Sequence, residues 1–119
     1  MRIILDTNFL IETIKYKIDS LMELRRICDF NFELCILDKT LDELEKINKV
    51  ESRIALSFIH ILKIINTKES KNKDVDDILV ELSSKDTIIA TQDKELKRRL
   101  RKKHIPLIII RQKKYYKFE

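Results

Sequence analysis

Four acids, Asp6, Glu43, Asp76 and Asp93, stand where divalent-metal chemistry could be assembled. Asp6 closes the apolar run 2–5, and Asp93 follows the apolar run 87–91. Acids that end strands of one parallel sheet share its carboxyl edge, so these two are expected to converge. Glu43 and Asp76 come from helices. If Leu41, Leu44 and Ile47 set the buried direction, Glu43 lies about 100° from it and Asp42 about 160°. Glu45 borders the opposite side equally, so periodicity leaves the two open; a place in the first helical turn, beside a strand end, favours Glu43. By the same count Val75, Ile78, Leu79, Val80 and Leu82 put Asp76 about 100° from the inner face and Asp77 about 160°. Four carboxylates sharing a cleft repel and raise each other's pKa unless a cation neutralises them. A hard divalent ion, Mg²⁺ or Mn²⁺, takes carboxylate and water oxygens. Two such ions about 3.5–4 Å apart can activate water and stabilise the leaving oxygen in phosphodiester cleavage. Neither His60 nor His104 stands where this chemistry would use it.

Each acid also has an ordinary use. Asp6 and Asp93 are natural helix N-caps, and Glu43 and Asp76 suit first turns, where a negative charge meets the positive end of the helix dipole. One side chain can be cap and ligand together, as at Asp93. Thr91 reads by itself as a strand residue.

The elements that must position these acids follow from the apolar spacing. Strands are expected at residues 2–5, 32–37, 87–91 and 107–110. Helices are expected at 9–14, from Asp19 and Ser20 to Cys28 with Leu21, Leu24 and Ile27 inward, from Thr40, at 52–65, at 74–83 and at 93–103, with a loop at 66–74. Strands separated by helices imply right-handed crossovers and an α/β fold with a mostly parallel sheet covered on both faces.

Composition narrows the class. The 119 residues, 44% hydrophobic and 38% charged, suit one domain over 1–119 and hold no apolar run near the length of a membrane helix. Asp6 interrupts the first apolar run before a signal peptide could form, so a cytoplasmic protein with no membrane association is expected. Cys28 and Cys35 are too few for a disulfide scaffold and lack zinc-site spacing; reduced core thiols are expected. Glycine is absent, which excludes the Gly-rich phosphate loops and leaves turns to Asn, Asp and Lys. The net charge of +5 is divided unevenly: residues 94–119 carry eleven Lys/Arg against two acids, and residues 1–93 carry fourteen against eighteen. A basic segment of +9 beside a body of −4 suggests a polyanion held next to the carboxylates. Lys97, Arg98, Arg99, Arg101, Lys102 and Lys103 are its candidate nucleic-acid contacts, on a helix with Leu96 and Leu100 inward; the same cations also read as a solvated face. Tyr115, Tyr116 and Phe118 are available for base stacking or for packing on the body.

The run into Asp6-Thr7-Asn8, the step Asp42-Glu43-Leu44, the step Val75-Asp76-Asp77 and the segment Ile88-Ile89-Ala90-Thr91-Gln92-Asp93 resemble the PIN-domain ribonucleases in order and spacing. The resemblance implies that Asp6, Glu43, Asp76 and Asp93 are the catalytic, metal-binding acids, with Asn8 and Thr91 as accessory polar positions. The continuation Leu96-Lys97-Arg98-Arg99-Leu100-Arg101, then Ile105-Pro106-Leu107, is similar to the subfamily that includes the small-subunit-processome nuclease of ribosomal RNA maturation. That likeness implies sheet order 3-2-1-4-5, Mg²⁺ or Mn²⁺ dependence and endonucleolytic RNA cleavage by activated water. Two roles stay open, rRNA processing and a VapC-like toxin paired with an antitoxin. RNA, an antitoxin or ribosome-assembly proteins, and a second copy in a homodimer are the partners implied. A non-catalytic RNA-binding assembly module on the same scaffold is a competing class, though a pure phosphate binder has no use for carboxylates beside its ligand. A receiver-like phosphoacceptor domain would want paired acids after the first strand, where Thr7 follows Asp6.

Overall fold

Short runs of isoleucine and leucine, buried on both sides, become the strands of a central sheet. The computed structural model describes residues 1–67 and 73–119. Its order is β1 (Arg2–Leu5), α1 (Thr7–Lys15), α2 (Ser20–Ile27), β2 (Glu33–Leu37), α3 (Asp38–Ile47), α4 (Val50–Ser57), β3 (Lys63–Ile65), α5 (Val75–Leu82), β4 (Thr87–Ala90), α6 (Lys94–Lys102), β5 (Leu107–Arg111) and β6 (Tyr115–Phe118). The sheet runs β3-β2-β1-β4-β5-β6, so the expected order 3-2-1-4-5 stands with one strand added. β1 to β5 pair in parallel and β6 is antiparallel to β5. A radius of gyration of 13.3 Å suits one domain of this length, for which about 13.5 Å is expected.

Strand alternation divides the core in two. Ile3, Leu5, Ile36, Ile88 and Ile108 face Phe9, Leu10, Leu24, Leu44 and Ala55, which α1 to α4 lay on one side. Ile4, Cys35, Leu37, Ile89 and Leu107 face Ile78, Leu79, Leu96 and Leu100 of α5 and α6 on the other. Both cysteines are free and buried, one in each half. No described helix is long and apolar enough to cross a membrane.

Several expectations need correction. The helix expected at 52–65 ends at Ser57; a 3-10 turn, Ile59–Ile61, follows, carrying an exposed His60, and then comes β3. The register Cys35↔Lys63, Ile36↔Ile64, Leu37↔Ile65 adds β3 to the edge of β2, where β-branched side chains pack well. Leu21 does not point inward; it is exposed, and Leu24 and the acid Glu23 are the buried residues of α2. Of the two uses left open for the C-terminal aromatics, Tyr116 takes packing on the body, as a core residue 4.9 Å from the ring of Phe9, and Phe118 packs partly on the same core. The Tyr116 hydroxyl shares hydrogen bonds with Thr13 (2.7 Å) and Ser20 (3.0 Å). Residues 68–72 of the loop expected at 66–74 lie outside the described residues.

Turns manage without glycine by placing Lys17, Asn48, His104, Gln112 and Lys113 at positive φ. Asn and Lys serve as expected, and His and Gln take positions that no Asp fills. Gln112, Lys113 and Lys114 connect β5 to β6, and the first two are the central residues of a turn closed by the Lys114 N–H to the Arg111 carbonyl (3.0 Å). Positive φ at both positions is the conformation that twisted hairpins favour and that glycine or asparagine adopts at least cost.

Candidate functional site

β1 and β4 lie side by side with Leu5 opposite Ala90, so the residues that follow them, Asp6 and Thr91, emerge together at the carboxyl edge. The Asp6 backbone N–H donates to the Ala90 carbonyl (2.9 Å), and the Thr91 N–H to that of Ile108 (3.1 Å). Asp6 caps α1 and is only 6% exposed. Its Oδ1 accepts from the Thr7 N–H (2.9 Å) and its Oδ2 from the Thr91 hydroxyl (2.8 Å). Burial pushes the Asp6 carboxyl above its ordinary range; the bonds from Thr91 and Thr7 oppose this, and the charges of Glu43 and Asp93 add to it.

Thr91, wholly buried, joins two acids: its hydroxyl donates to Asp6 and accepts from the Asp93 N–H (3.1 Å). Asp93 caps α6 through Oδ1, which accepts from the Leu96 N–H (2.8 Å). The cap therefore accounts for one carboxylate oxygen. Thr91 is thus no ordinary strand residue, since its hydroxyl orders the edge.

α3 begins at Asp38, directly after β2, so Glu43 sits in the second turn rather than the first-turn place expected for it. Like Asp38 at the start of that helix it is half-buried, while Asp42 and Glu45 are exposed. The Thr7 hydroxyl donates to Glu43 Oε1 (3.3 Å) and lies equally near the hydroxyl of buried Thr40. Burial raises the Glu43 pKa, helped by the Asp76 charge and opposed by the Thr7 bond and Lys46. Asp76 lies in the first turn of α5, after the cap Asp74. Its pKa is pushed up to about 6, by burial first and then by the charges of Asp6, Asp93 and Asp74, against the opposing pull of Arg99. Glu43 and Asp76 line a groove of about 480 Å³ together with Asp42, Asp74, Lys39 and Lys46.

The four acids therefore stand on four elements at one edge and feel one another's charge. Among the described residues, no three Asp, Glu, His or Cys side chains are gathered closely enough to grip a metal ion as they stand. Carboxylates that repel each other are expected to spread until a cation draws them in. The donor set consists of carboxylate oxygens, with hydroxyls beside them, which suits a hard divalent ion.

Asn8 is exposed and lines a second hollow, of about 250 Å³, with Ile11, Glu12, Gln92 and Asp93. Glu12 escapes a sequence reading, which sees only a helix residue. Among the described residues its Oε2 finds no hydrogen-bond partner though buried, a state that costs about 1–3 kcal/mol. Thr7 and Thr40 escape it too, since their hydroxyls meet only once α1 and α3 pack at the edge.

The basic residues are more occupied than their number suggests. Lys97 and Arg101 pair with Glu119, Arg98 with Glu95, and Arg99 with Asp77 (2.9 Å). Lys103 donates to the carbonyls of Val80 (2.5 Å) and Ser83 (3.4 Å). Lys102 is exposed and, among the described residues, joins no ion pair.

Comparison with known proteins agrees with this architecture. A family model described as a PIN like domain matches residues 3–113. Ribonuclease VapC4 of Methanocaldococcus jannaschii is 32% identical over 126 aligned positions, spanning 97% of this chain and 94% of its own length. The structure of the PIN domain endonuclease Utp24 superposes with a TM-score of 0.86 at 30% identity, over 99% of this chain and 90% of that one. The acidic sheet edge, the strand order and these likenesses agree, and the chain belongs to the PIN-domain ribonuclease family.

Proposed function

We propose that the chain is an endoribonuclease that hydrolyses RNA phosphodiesters with Mg²⁺ or Mn²⁺ held by Asp6, Glu43, Asp76 and Asp93. The gathering of these four carboxylates at one sheet edge carries the reading, with Asp76, raised to about 6 by burial first and then by the charges of Asp6, Asp93 and Asp74, the most perturbed of them. When bound, the ion supplies positive charge to the phosphodiester and acidity to a water. The chain's own groups prepare the place. Thr91 and the Thr7 peptide hold both oxygens of Asp6, so that the carboxylate keeps one orientation and keeps its charge against burial. The Thr7 hydroxyl steadies Glu43, and the α6 cap steadies Asp93. Asn8, exposed beside Asp93, serves as an accessory polar group toward the substrate. Lys97, Arg98, Arg99, Arg101 and Lys102 lie on the helix that Asp93 caps and Lys103 follows its end, so a strand of phosphates along α6 leads to the acids.

Ribosomal RNA maturation is the role we assign, from the likeness of the segment around Asp93 and α6 to that subfamily. The likeness to ribonuclease VapC4 favours a second reading, a toxin whose acidic cleft an antitoxin covers. Incubating the purified chain with structured and unstructured RNA, with Mn²⁺ or with EDTA, tests the activity. Cleavage is expected with Mn²⁺, none with EDTA, and none by Asp6→Asn, which is close in shape but carries no charge. Wild-type rates in EDTA or in Asp6→Asn would remove the acids from the chemistry. A small protein that copurifies from the native host and blocks cleavage would favour the toxin.

A further inference from the structure

We infer that the hollow between α1 and the connection from β4 to α6 is a nucleobase pocket in which Glu12 selects guanine beside the scissile phosphate. The inference rests on reading the chain as a ribonuclease and adds what that reading leaves open, the base it prefers. Glu12 lies one helical turn after Asn8, on the same face of α1, and the two line the hollow with Ile11, Gln92 and Asp93. The hollow therefore adjoins the acidic edge through Asp93, where a nucleotide flanking the cleaved bond would lie. Its volume of about 250 Å³ holds roughly eight waters, on the scale of one planar base.

The lining has the makeup of a recognition site. Ile11 supplies an apolar wall. Gln92 is fixed, since its Nε2 donates to the Ile110 carbonyl (3.3 Å) and its Oε1 accepts from the Ile110 N–H (2.8 Å). Glu12 is the group left wanting, because its Oε2 is buried without a donor among the described residues while the side chain lines the hollow. A buried acceptor in that state gains from any donor that reaches it. A carboxylate presents two acceptors side by side. Among the bases, guanine alone offers an imino and an amino N–H side by side on its pairing edge; uracil flanks its single N–H with carbonyls that a carboxylate repels. Rotation of the Glu12 carboxylate toward the hollow exchanges an unpaired oxygen for two hydrogen bonds.

The test measures binding as well as cleavage. Short single-stranded RNAs, identical except for one guanosine, inosine or uridine, are titrated in EDTA against wild type and Glu12→Gln, and cleavage sites in a randomised RNA are mapped in Mn²⁺. Inosine lacks the 2-amino group, so wild type should bind the guanosine RNA about 10-fold more tightly than the inosine RNA, and Glu12→Gln should bind the two alike. Cleavage should show the same guanine preference, lost in the variant. Equal affinity of wild type for guanosine and inosine RNAs, or a preference unchanged in Glu12→Gln, overturns the proposal. Guanosine selectivity in EDTA without cleavage of any RNA in Mn²⁺ would uphold the pocket and reject the nuclease reading; cleavage without base preference would do the reverse.

Discussion

Replacing Asp76 by Asn should stabilise the metal-free protein at neutral pH. The folded pKa of about 6, against 3.8 for the free side chain, means that the charged form is disfavoured by folding. The folded state then binds more protons than the unfolded state between those values, so stability falls as pH rises from about 4 to about 6. The difference between those two values corresponds to about 3 kcal/mol. Asp76 is only partly buried, and solvent screens roughly half of that, leaving about 1.5 kcal/mol. Asn forgoes the favourable dipole term of the first turn of α5, about 0.5 kcal/mol, so the net gain is about 1 kcal/mol. For a chain of this size that raises Tm by about 4 °C. Thermal melting of both proteins in EDTA at pH 7.5 and pH 4 measures it, and the advantage should vanish at the lower pH. Mn²⁺ should then raise the Tm of wild type more than that of the variant, if Asp76 is a ligand as proposed. A variant less stable than wild type at pH 7.5 in EDTA, or an advantage that persists at pH 4, would refute the reasoning.

Thr91→Val keeps the shape but removes the hydroxyl that donates to Asp6 and accepts from Asp93. It should cost about 1–3 kcal/mol in melting experiments, and it should move the acid limb of the pH–rate profile upward, because a bond that favours the charged Asp6 is gone. In the β5–β6 hairpin, Gln112→Asn with Lys113→Gly relieves two non-glycine residues at positive φ. The pair should raise Tm by about 4 °C, or about 1 kcal/mol, and leave RNA cleavage unchanged. If three cations of α6 meet phosphates, log affinity for single-stranded RNA should fall against log salt with a slope of about −2. Glu119→Gln, which releases Lys97 and Arg101, should steepen that slope, and a slope that does not change would place the RNA path elsewhere.

The strands and helices of the sheet's centre could be read from the chain because burial there follows simple periods. Ile3, Ile4 and Leu5 point into both halves of the core, and Leu96 and Leu100 mark one side of α6. The run 59–65 resisted reading because its isoleucines satisfy a helical face and a strand equally. Pairing with β2 decided it, a long-range fact that no local window contains. The same holds for β6. Nothing near Tyr116 in sequence announces that its hydroxyl will meet Thr13 and Ser20, or that Glu23 of α2 will accept its backbone N–H at 2.9 Å. That last bond also explains why an acid, rather than Leu21, is buried on α2.

At the site, residue type and strand position pointed to Asp6 and Asp93, whereas the choice of Glu43 over Glu45 needed the packing of Thr7 against α3. The count of cations overstated the charge that α6 presents, because Glu119, Glu95 and Asp77 answer several of them. The four acids invite the opposite correction. Each has a local use, as a cap or a first-turn acid, or as an acceptor for a neighbouring hydroxyl, and each such use is worth about 1 kcal/mol. A cap occupies one oxygen of Asp93, and a serine or asparagine would fill that role without charge. Local structure therefore accounts for single oxygens and leaves the coupled negative charge, and the raised pKa values of Asp6, Glu43 and Asp76, without a stabilising purpose. On the proposed reading, a cation bound among these acids would relieve both their burial and their mutual repulsion, so the cost to the fold would become affinity for the ion.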